Sequence, residues 1–502
     1  MGEHLERLRT LLGEIADIQA AIAVLGWDQQ TYMPPGGAAA RAQQLSTLSR
    51  LSHERFVSDE MAEALQKAKE ETAALDPDSD EARLVRKTER DFLKKTKVPN
   101  QWVADFSRIT AMAHQDWEQA RAEADFSRFQ PHLEEILDLR RAYAEFFAPY
   151  DHVYDPLIDD FEPGMKTAEV VAVFDALRPR QVELVRAIIE EGKPVDDSIL
   201  RQPFDEQKQW DFGVEVIKAF GYDFERGRQD KSVHPFTTGF GTGDVRITTR
   251  FSPDFLSTAL FGSMHEAGHA LYEQGVDPRY ERTPLGEGAS LAVHESQSRM
   301  WENLVGRGKP FWRAFLPRLK AFFPSQLGDV DLETFYAAIN KVERSFIRVD
   351  ADEATYNLHI MLRFELEIAM MEGSLEAKDL PDAWNQKFEA YLGLTPPDDA
   401  KGVLQDVHWS GGMIGYFPTY ALGNLIAAQL WERICADIPD LDAKIEASDF
   451  HDLLGWLREH VHRFGAKFEP LELLERTVGK GLEAEPYLRY LEQKFRPIYG
   501  LS

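Results

Sequence analysis

The sequence predicts a mainly α-helical fold with one small antiparallel β-hairpin. Three observations carry this. Apolar residues recur at helical spacing along most of the 502 residues. Clusters of Pro, Gly and Asp break that spacing at intervals suited to helix ends. Only residues 232–251, SVHPFTTGFGTGDVRITTRF, show an alternation with a period of two.

Leu5, Leu8, Leu12, Ile15, Ile18, Ile22 and Leu25 mark the core face of a first helix. Pro34-Pro35-Gly36-Gly37 ends it, and a second helix starts near Ala38. Asp76-Pro77-Asp78-Ser79-Asp80 reads as a turn and a helix start, and helical stretches follow over about 100–123, 130–147 and 167–191. The acidic segment from Asp155 to Gly164 reads as a solvated loop. In the alternating stretch, Val245, Ile247 and Thr249 form one face of a strand, and Gly239, Gly241 and Gly243 link it to a partner over Val233–Thr238. A strand beside a binding site can accept an extended peptide along its edge. Ser252-Pro253-Asp254 has the chemistry of a helix start, with Ser252 as cap. Leu256, Leu260, Met264, Ala267 and Leu271 then recur at helical spacing up to Gly275 and Pro278, predicting a helix over about 253–274. A further helix spans 290–305 and ends at Gly306.

Composition narrows the function classes. Hydrophobic residues make up 43% of the chain, enough for a large core, and the net charge is −28. That charge argues against a nucleic-acid or anionic-membrane partner. The single cysteine, Cys435, precludes an intrachain disulfide and fits a reducing compartment. Charged residues interrupt the first 25 positions, so these read as an amphipathic helix and not a secretory signal. No apolar run reaches the roughly 18 residues of a membrane span.

The chemistry is concentrated in His265-Glu266-Ala267-Gly268-His269. Residues four apart share a helix face, so both imidazoles can reach one metal ion. Glu266 stands beside them, able to polarise a metal-associated water, which is the arrangement of a zinc peptidase. Such a site needs a third protein ligand. Glu295 on the 290–305 helix is the best candidate, with His294 as rival and Glu273, Glu281 and Glu287 behind. Glu302, two turns beyond Glu295, can accept a hydrogen bond from a ligand imidazole. His408, Tyr416 and Tyr420 are candidate donors to an oxyanion, near the mobile sequence Gly411-Gly412-Met413-Ile414-Gly415.

These segments together resemble the thermostable (Taq-type) metallocarboxypeptidases from end to end. The likeness rests on Leu25-Gly26-Trp27-Asp28, Thr31 to Gly37, His234-Pro235-Phe236, Asp244-Val245-Arg246-Ile247-Thr248 and the His-Glu-x-x-His helix. It continues through His294 to Arg299, Ile347-Arg348-Val349-Asp350-Ala351-Asp352 and Gly402 to Trp409. The resemblance implies one zinc ion, or cobalt, on His265, His269 and Glu295, with Glu266 as general base. It favours Tyr420 and His408 as oxyanion donors. Its Ile-Arg-x-x-Ala-Asp motif singles out Arg348 for the substrate's terminal carboxylate; from spacing alone, Asp352, four residues on, can orient it on one helix face, and Arg246 and Arg250 on the strand are rivals. His234, Asp244, Arg246 and Tyr416 join it among substrate-binding residues. It implies two helical lobes around a deep cleft, similar in outline to neurolysin and angiotensin-converting enzyme. One peptidase domain over 1–502 is expected, with an N-terminal helical region to about 130 and a catalytic core from about 131. A cytoplasmic homodimer acting on peptides with a free C-terminus and broad specificity is expected. A neurolysin-like endo-oligopeptidase is the alternative, and a helical scaffold with a relict metal is the reading from another class.

Overall fold

A computed structural model describes residues 2–501. Helices make up most of the described residues, with three short strands among them. The chain forms two compact units, each drawn from three segments. One comprises Met1–Thr96, Asp197–Ile339 and Leu430–Gly479; the other comprises Lys97–Asp196, Asn340–Gln429 and Lys480–Ser502. The expected boundary near residue 130 falls inside the Phe126–Glu145 helix.

In the first unit the Glu3–Thr31 helix buries Leu5, Leu8, Leu11, Leu12 and Ile15 against Met61, Leu65 and Leu84 and against Val276, Tyr280 and Leu285. Ile18, Ile22 and Leu25 are only half-buried. That part of the helix lies on the Ala38–Phe56 helix, which buries Ser52 alone. The turn at 76–80 forms as expected, with Asp78 N–H bonded to Asp76 Oδ1 before the Asp80–Lys97 helix.

The hairpin exists, shifted and extended. Strands β1 (Gln229–Lys231), β2 (Thr237–Gly239) and β3 (Val245–Thr249) lie in the order β1-β3-β2. β2 pairs antiparallel with β3, Thr237 opposite Ile247, as the alternation predicts. β1 pairs parallel with β3 on its other side. Gln229-Asp230-Lys231 has no apolar residue to announce a strand. Val245, Ile247 and Thr249 face inward, and Thr248 is buried too, because its hydroxyl accepts from Ser232 Oγ and Phe236 N–H.

β3 leads into the Ser257–Gly275 helix, which starts four residues later than expected. Ser252-Pro253-Asp254 is a turn, and Ser252 Oγ bonds Asp254 instead of capping the helix. The reason is tertiary. Pro253 O accepts from Phe204 N–H, and Leu256 N–H donates to Leu200 O, so this backbone is bonded sideways. Leu260, Met264, Ala267 and Leu271 are buried as predicted. The next helix, Leu291–Arg299, is capped by Ser290 Oγ accepting from Val293 N–H. It continues over Met300–Val305 with a widened turn, closed by Gly306 N–H bonding Trp301 O.

In the second unit the Asn100–Glu123, Phe126–Glu145 and Thr167–Glu191 helices match the expected stretches. The acidic segment between the last two is not a solvated loop. Asp155, Leu157, Ile158 and Glu162 are buried. Asp155 is buried because its Oδ1 accepts from both the N–H and hydroxyl of Thr167. Gly415, at φ +97°, lies so close that a Cβ would come within 2.6 Å of the Leu157 carbonyl.

His462 in the first unit is fully buried, with Nε2 bonded to Gln297 Oε1 at 2.8 Å. Burial, with the nearby Arg458 charge, pushes its pKa down to about 3. The unfolded chain takes up a proton below about pH 6.5 and the folded chain does not. Stability is therefore lost as pH falls from about 6.5 toward 3, at about 1.4 kcal/mol per unit. We expect the Tm of the parent to fall more between pH 7 and pH 5 than that of His462→Gln, as calorimetry would read.

Candidate active site

The Ser257–Gly275 helix presents His265 and His269 on one face, ring centroids 4.9 Å apart. Glu295 on the Leu291–Arg299 helix points at both, its Oε2 lying 3.6 Å from the Nε2 of each. That is beyond hydrogen-bond length. One donor atom from each of the three lies within 4.8 Å of the others. Two imidazole nitrogens and a carboxylate at such separations suit a divalent cation of the zinc kind, with a coordination position left over.

The other ring nitrogens are already engaged. His265 Nδ1 bonds Glu302 Oε2 at 2.9 Å, and Glu302 is held by Arg299 at 3.2 Å and Arg307 at 3.3 Å. A carboxylate cannot donate, so His265 carries its proton on Nδ1 and turns a lone pair on Nε2 toward Glu295. Burial opposes ionisation of Glu302, but Arg299 and His265 hold its carboxyl well below the usual range. His269 Nδ1 lies 2.9 Å from His294 Nδ1, and His294 Nε2 lies 3.4 Å from Glu273 Oε1. Glu273 favours the proton on His294 Nε2, so His294 Nδ1 accepts from His269. His269 Nε2 is then also unprotonated. His294, the rival third ligand, thus stands one step behind His269. Glu273 stands behind His294, Glu281 accepts from Thr242 N–H, and Glu287 lies 3.8 Å from Lys87.

Burial pushes the His269 pKa well below the usual value. Burial also lowers that of His265, but the charge of Glu295 and the bond to Glu302 outweigh it, so its pKa rises. Glu295 Oε1 accepts from Arg299 Nε at 2.7 Å, and its Oε2 accepts from Ser298 Oγ at 3.1 Å. Glu266 is buried beside this set, and burial raises its pKa.

A second cluster lies in the other unit. Asp406 accepts from Arg348 Nε and Nη2 on Oδ1, at 3.0 and 2.8 Å, and from Arg363 Nε on Oδ2 at 2.7 Å. Arg348 Nη1 also donates to the Tyr356 hydroxyl, and its guanidinium lies over the Tyr420 ring. Asp352 does not orient Arg348. Residues 348–350 form a single tight turn, and Asp352 instead accepts from the N–H groups of Glu343, Ala354 and Thr355. Sequence reasoning missed Asp406 and Arg363, although Asp406 stands two residues before His408 in a motif it used. His408 packs on Tyr416 and Tyr420, and the two tyrosine hydroxyls lie 3.5 Å apart. Burial lowers the His408 pKa to about 4, so the ring is neutral at pH 7. Burial raises the Tyr420 pKa, which keeps its hydroxyl a donor.

The remaining substrate-binding candidates belong to the first unit. His234 is exposed before β2. Asp244 and Arg246 bond each other in a two-pronged pair at 2.9 and 2.7 Å, with the guanidinium over both Trp27 and Phe240. Arg250 is exposed.

The family model for the carboxypeptidase Taq (M32) metallopeptidases matches residues 7–495. The chain belongs to this family. It is 43% identical to thermostable carboxypeptidase 1 of Thermus thermophilus over 97% of both chains, and 38% identical to carboxypeptidase 1 of Bacillus subtilis over 98% of both. The crystal structure of the M32 carboxypeptidase from Deinococcus radiodurans R1 superposes with a TM-score of 0.97 at 44% identity, covering all of both chains. The protein is therefore a metallocarboxypeptidase, a peptide hydrolase that uses a divalent metal. The endo-oligopeptidase alternative gives way to the exopeptidase.

In this M32 chain, one glycine lets the candidate ligands meet. A Cβ on Gly268 would stand 2.6 Å from Ser298 Cα and 2.7 Å from Gln297 O, both backbone atoms that cannot swing aside. We expect Gly268→Ala to destabilise the fold by about 1–3 kcal/mol through overpacking. It should also weaken metal retention, because the two helices carry ligands from either side of that contact. Thermal unfolding and the metal content of dialysed protein check this.

Proposed function

We propose that the whole chain acts as one peptidase domain releasing single residues from peptide C-termini with broad specificity, using one zinc ion held by His265, His269 and Glu295. The observation that carries this reading is the lone-pair geometry of those three side chains, two of them set by Glu302 and the Glu273–His294 pair. Cobalt can occupy such a donor set too. A cation bound there acidifies water and polarises the scissile carbonyl. Glu266 takes the proton of the attacking water and passes it to the departing amine. Its burial makes it a stronger base than a solvated carboxylate. His408 and the Tyr420 hydroxyl donate hydrogen bonds to the oxyanion, supported by a neutral imidazole and an un-ionised phenol.

Arg348 reads the free terminal carboxylate. The support is a charge imbalance: Arg348 and Arg363 share one carboxylate, Asp406, and both are almost wholly buried. One buried positive charge is left for an incoming anion, and a guanidinium fork suits a carboxylate. His234, Asp244, Arg246 and Tyr416 are the further peptide contacts of this reading, and β2, an outer strand of its sheet, can pair with an extended peptide by strand addition. Among the described residues, no helix is long and apolar enough to cross a membrane. A cytoplasmic homodimer is part of this proposal, by likeness to the family.

Chelation should abolish release of C-terminal residues, and Glu266→Gln should lower kcat by about 10²–10⁴-fold while keeping its metal. A Glu266→Gln enzyme of near-parental rate would refute the assignment of the base. Amidating the substrate's C-terminus should lower kcat/KM by roughly 10²-fold in the parent, the loss of a charge-assisted contact. The same amidation should matter little in Arg348→Ala, whose rate on free peptides is already low. An equal loss in both enzymes would transfer the carboxylate to another residue.

A further inference from the structure

The hydroxyl of Thr237 bridges β2 and the motif helix at Glu266. Its Oγ1 lies 2.7 Å from Glu266 Oε2 and 2.9 Å from the Glu266 carbonyl oxygen. Thr237 is the first residue of β2, and pairing opposite Ile247 of β3 holds its backbone in place. The sheet meets the helix again through β3, where Ser263 Oγ donates to Thr249 Oγ1. The sheet is thus fastened to the face of the helix that bears Glu266.

A glutamate has three side-chain torsions, and freezing them needs a partner on the carboxylate. Thr237 is that partner here. A hydroxyl has one proton, and an ionised carboxylate accepts it more strongly than a helix carbonyl already bonded within its own helix. The proton therefore goes to Oε2, while Oε1 accepts no hydrogen bond from the described residues. We propose that Thr237 is a positioning residue for the hydrolysis, holding Glu266 by Oε2 so that Oε1 is left for proton transfer. This deepens the proposed function and rests on Glu266 being its base. Thr237 is absent from the residues singled out by motif, although it directly follows His234-Pro235-Phe236.

The test compares Thr237→Val, which keeps the shape and removes the hydroxyl, with Thr237→Ser, which keeps the hydroxyl. Zinc-loaded enzymes are assayed on a short peptide, with Glu266→Gln alongside. Thr237→Val should lower kcat by about 10- to 100-fold, the scale of a misplaced catalytic group, with KM and zinc content within about twofold of the parent. Thr237→Ser should recover most of the rate. A readout apart from activity is the crystal structure of metal-free Thr237→Val, in which the Glu266 carboxylate should leave its parental position. A valine variant with kcat within twofold of the parent, or a serine variant as slow as the valine one, overturns the inference. Should the valine variant fail to fold, Thr237→Ala against Thr237→Ser decides by the same criteria. If Glu266→Gln is inactive while Thr237→Val is fully active, only this inference fails. If Glu266→Gln is active, the assignment of the base falls and takes this inference with it.

Discussion

Backbone-to-backbone contact at Gly268 is the constraint on which the candidate metal centre depends. Two helices can approach this closely only where one of them lacks a side chain. The contact meets Gln297 and Ser298, between Glu295 and the widened turn that carries Glu302. It sits one residue before His269 and three after His265. A shift of a single methyl radius would therefore change the distance from Glu295 to both histidines at once. The middle of the His-Glu-x-x-His pattern is thus a packing position as well as a spacer, and β-branched or bulky residues would exclude the geometry that the flanking histidines need.

Holding ligands close is not enough, since a protonated imidazole nitrogen repels a cation. The protein solves this separately for each ring. Glu302, steadied by two arginines, accepts the hydrogen bond from the Nδ1–H of His265. For His269 the acceptor is another imidazole, whose own tautomer is set by Glu273. The second arrangement places no carboxylate directly against His269 and so adds less negative charge near the cation. Glu295 meanwhile keeps Oε1 tied to Arg299, while Oε2 accepts from Ser298 Oγ and faces both rings. Charge, tautomer and orientation are all fixed before any ion arrives, which is what lets binding energy go into affinity rather than rearrangement.

Residues whose partners lie close in sequence were legible, and those whose partners are remote were not. His265, Glu266 and His269 are visible because a helix alone brings them together, and Glu302 because it shares a helix with Glu295. The start of the motif helix was misplaced because Leu200 and Phe204 capture the backbone around Pro253. β1 went unseen because its pairing with β3 supplies an order that Gln-Asp-Lys does not request. The Asp155 segment looked solvated because the group that buries its charge, Thr167, stands twelve residues on. Asp352 was chosen for Arg348 on helical spacing, and that spacing failed where the chain makes one tight turn instead of a helix. The true partner, Asp406, is 58 residues away.

The Arg348–Asp406–Arg363 cluster then explains why a buried ion network is kept at all. Burying three charges is costly, and an apolar replacement of similar volume is often as stable or more so. Balanced pairs would suffice if stability were the aim. Two guanidiniums on one carboxylate leave an excess that protein groups do not meet; Tyr356 offers only a phenol oxygen, and His408 is neutral. Burial lowers the pKa of Arg363 to about 10, as expected where positive charge is crowded. Asp406 is held well below the usual carboxylate range by those same arginines, although burial alone would raise it. A site so unbalanced gains from any anion that reaches Arg348, and loses nothing comparable when a neutral amide arrives. Under the role proposed for Arg348, discrimination between a peptide's end and its interior rests on the electrostatics of this cluster and is present before substrate binds.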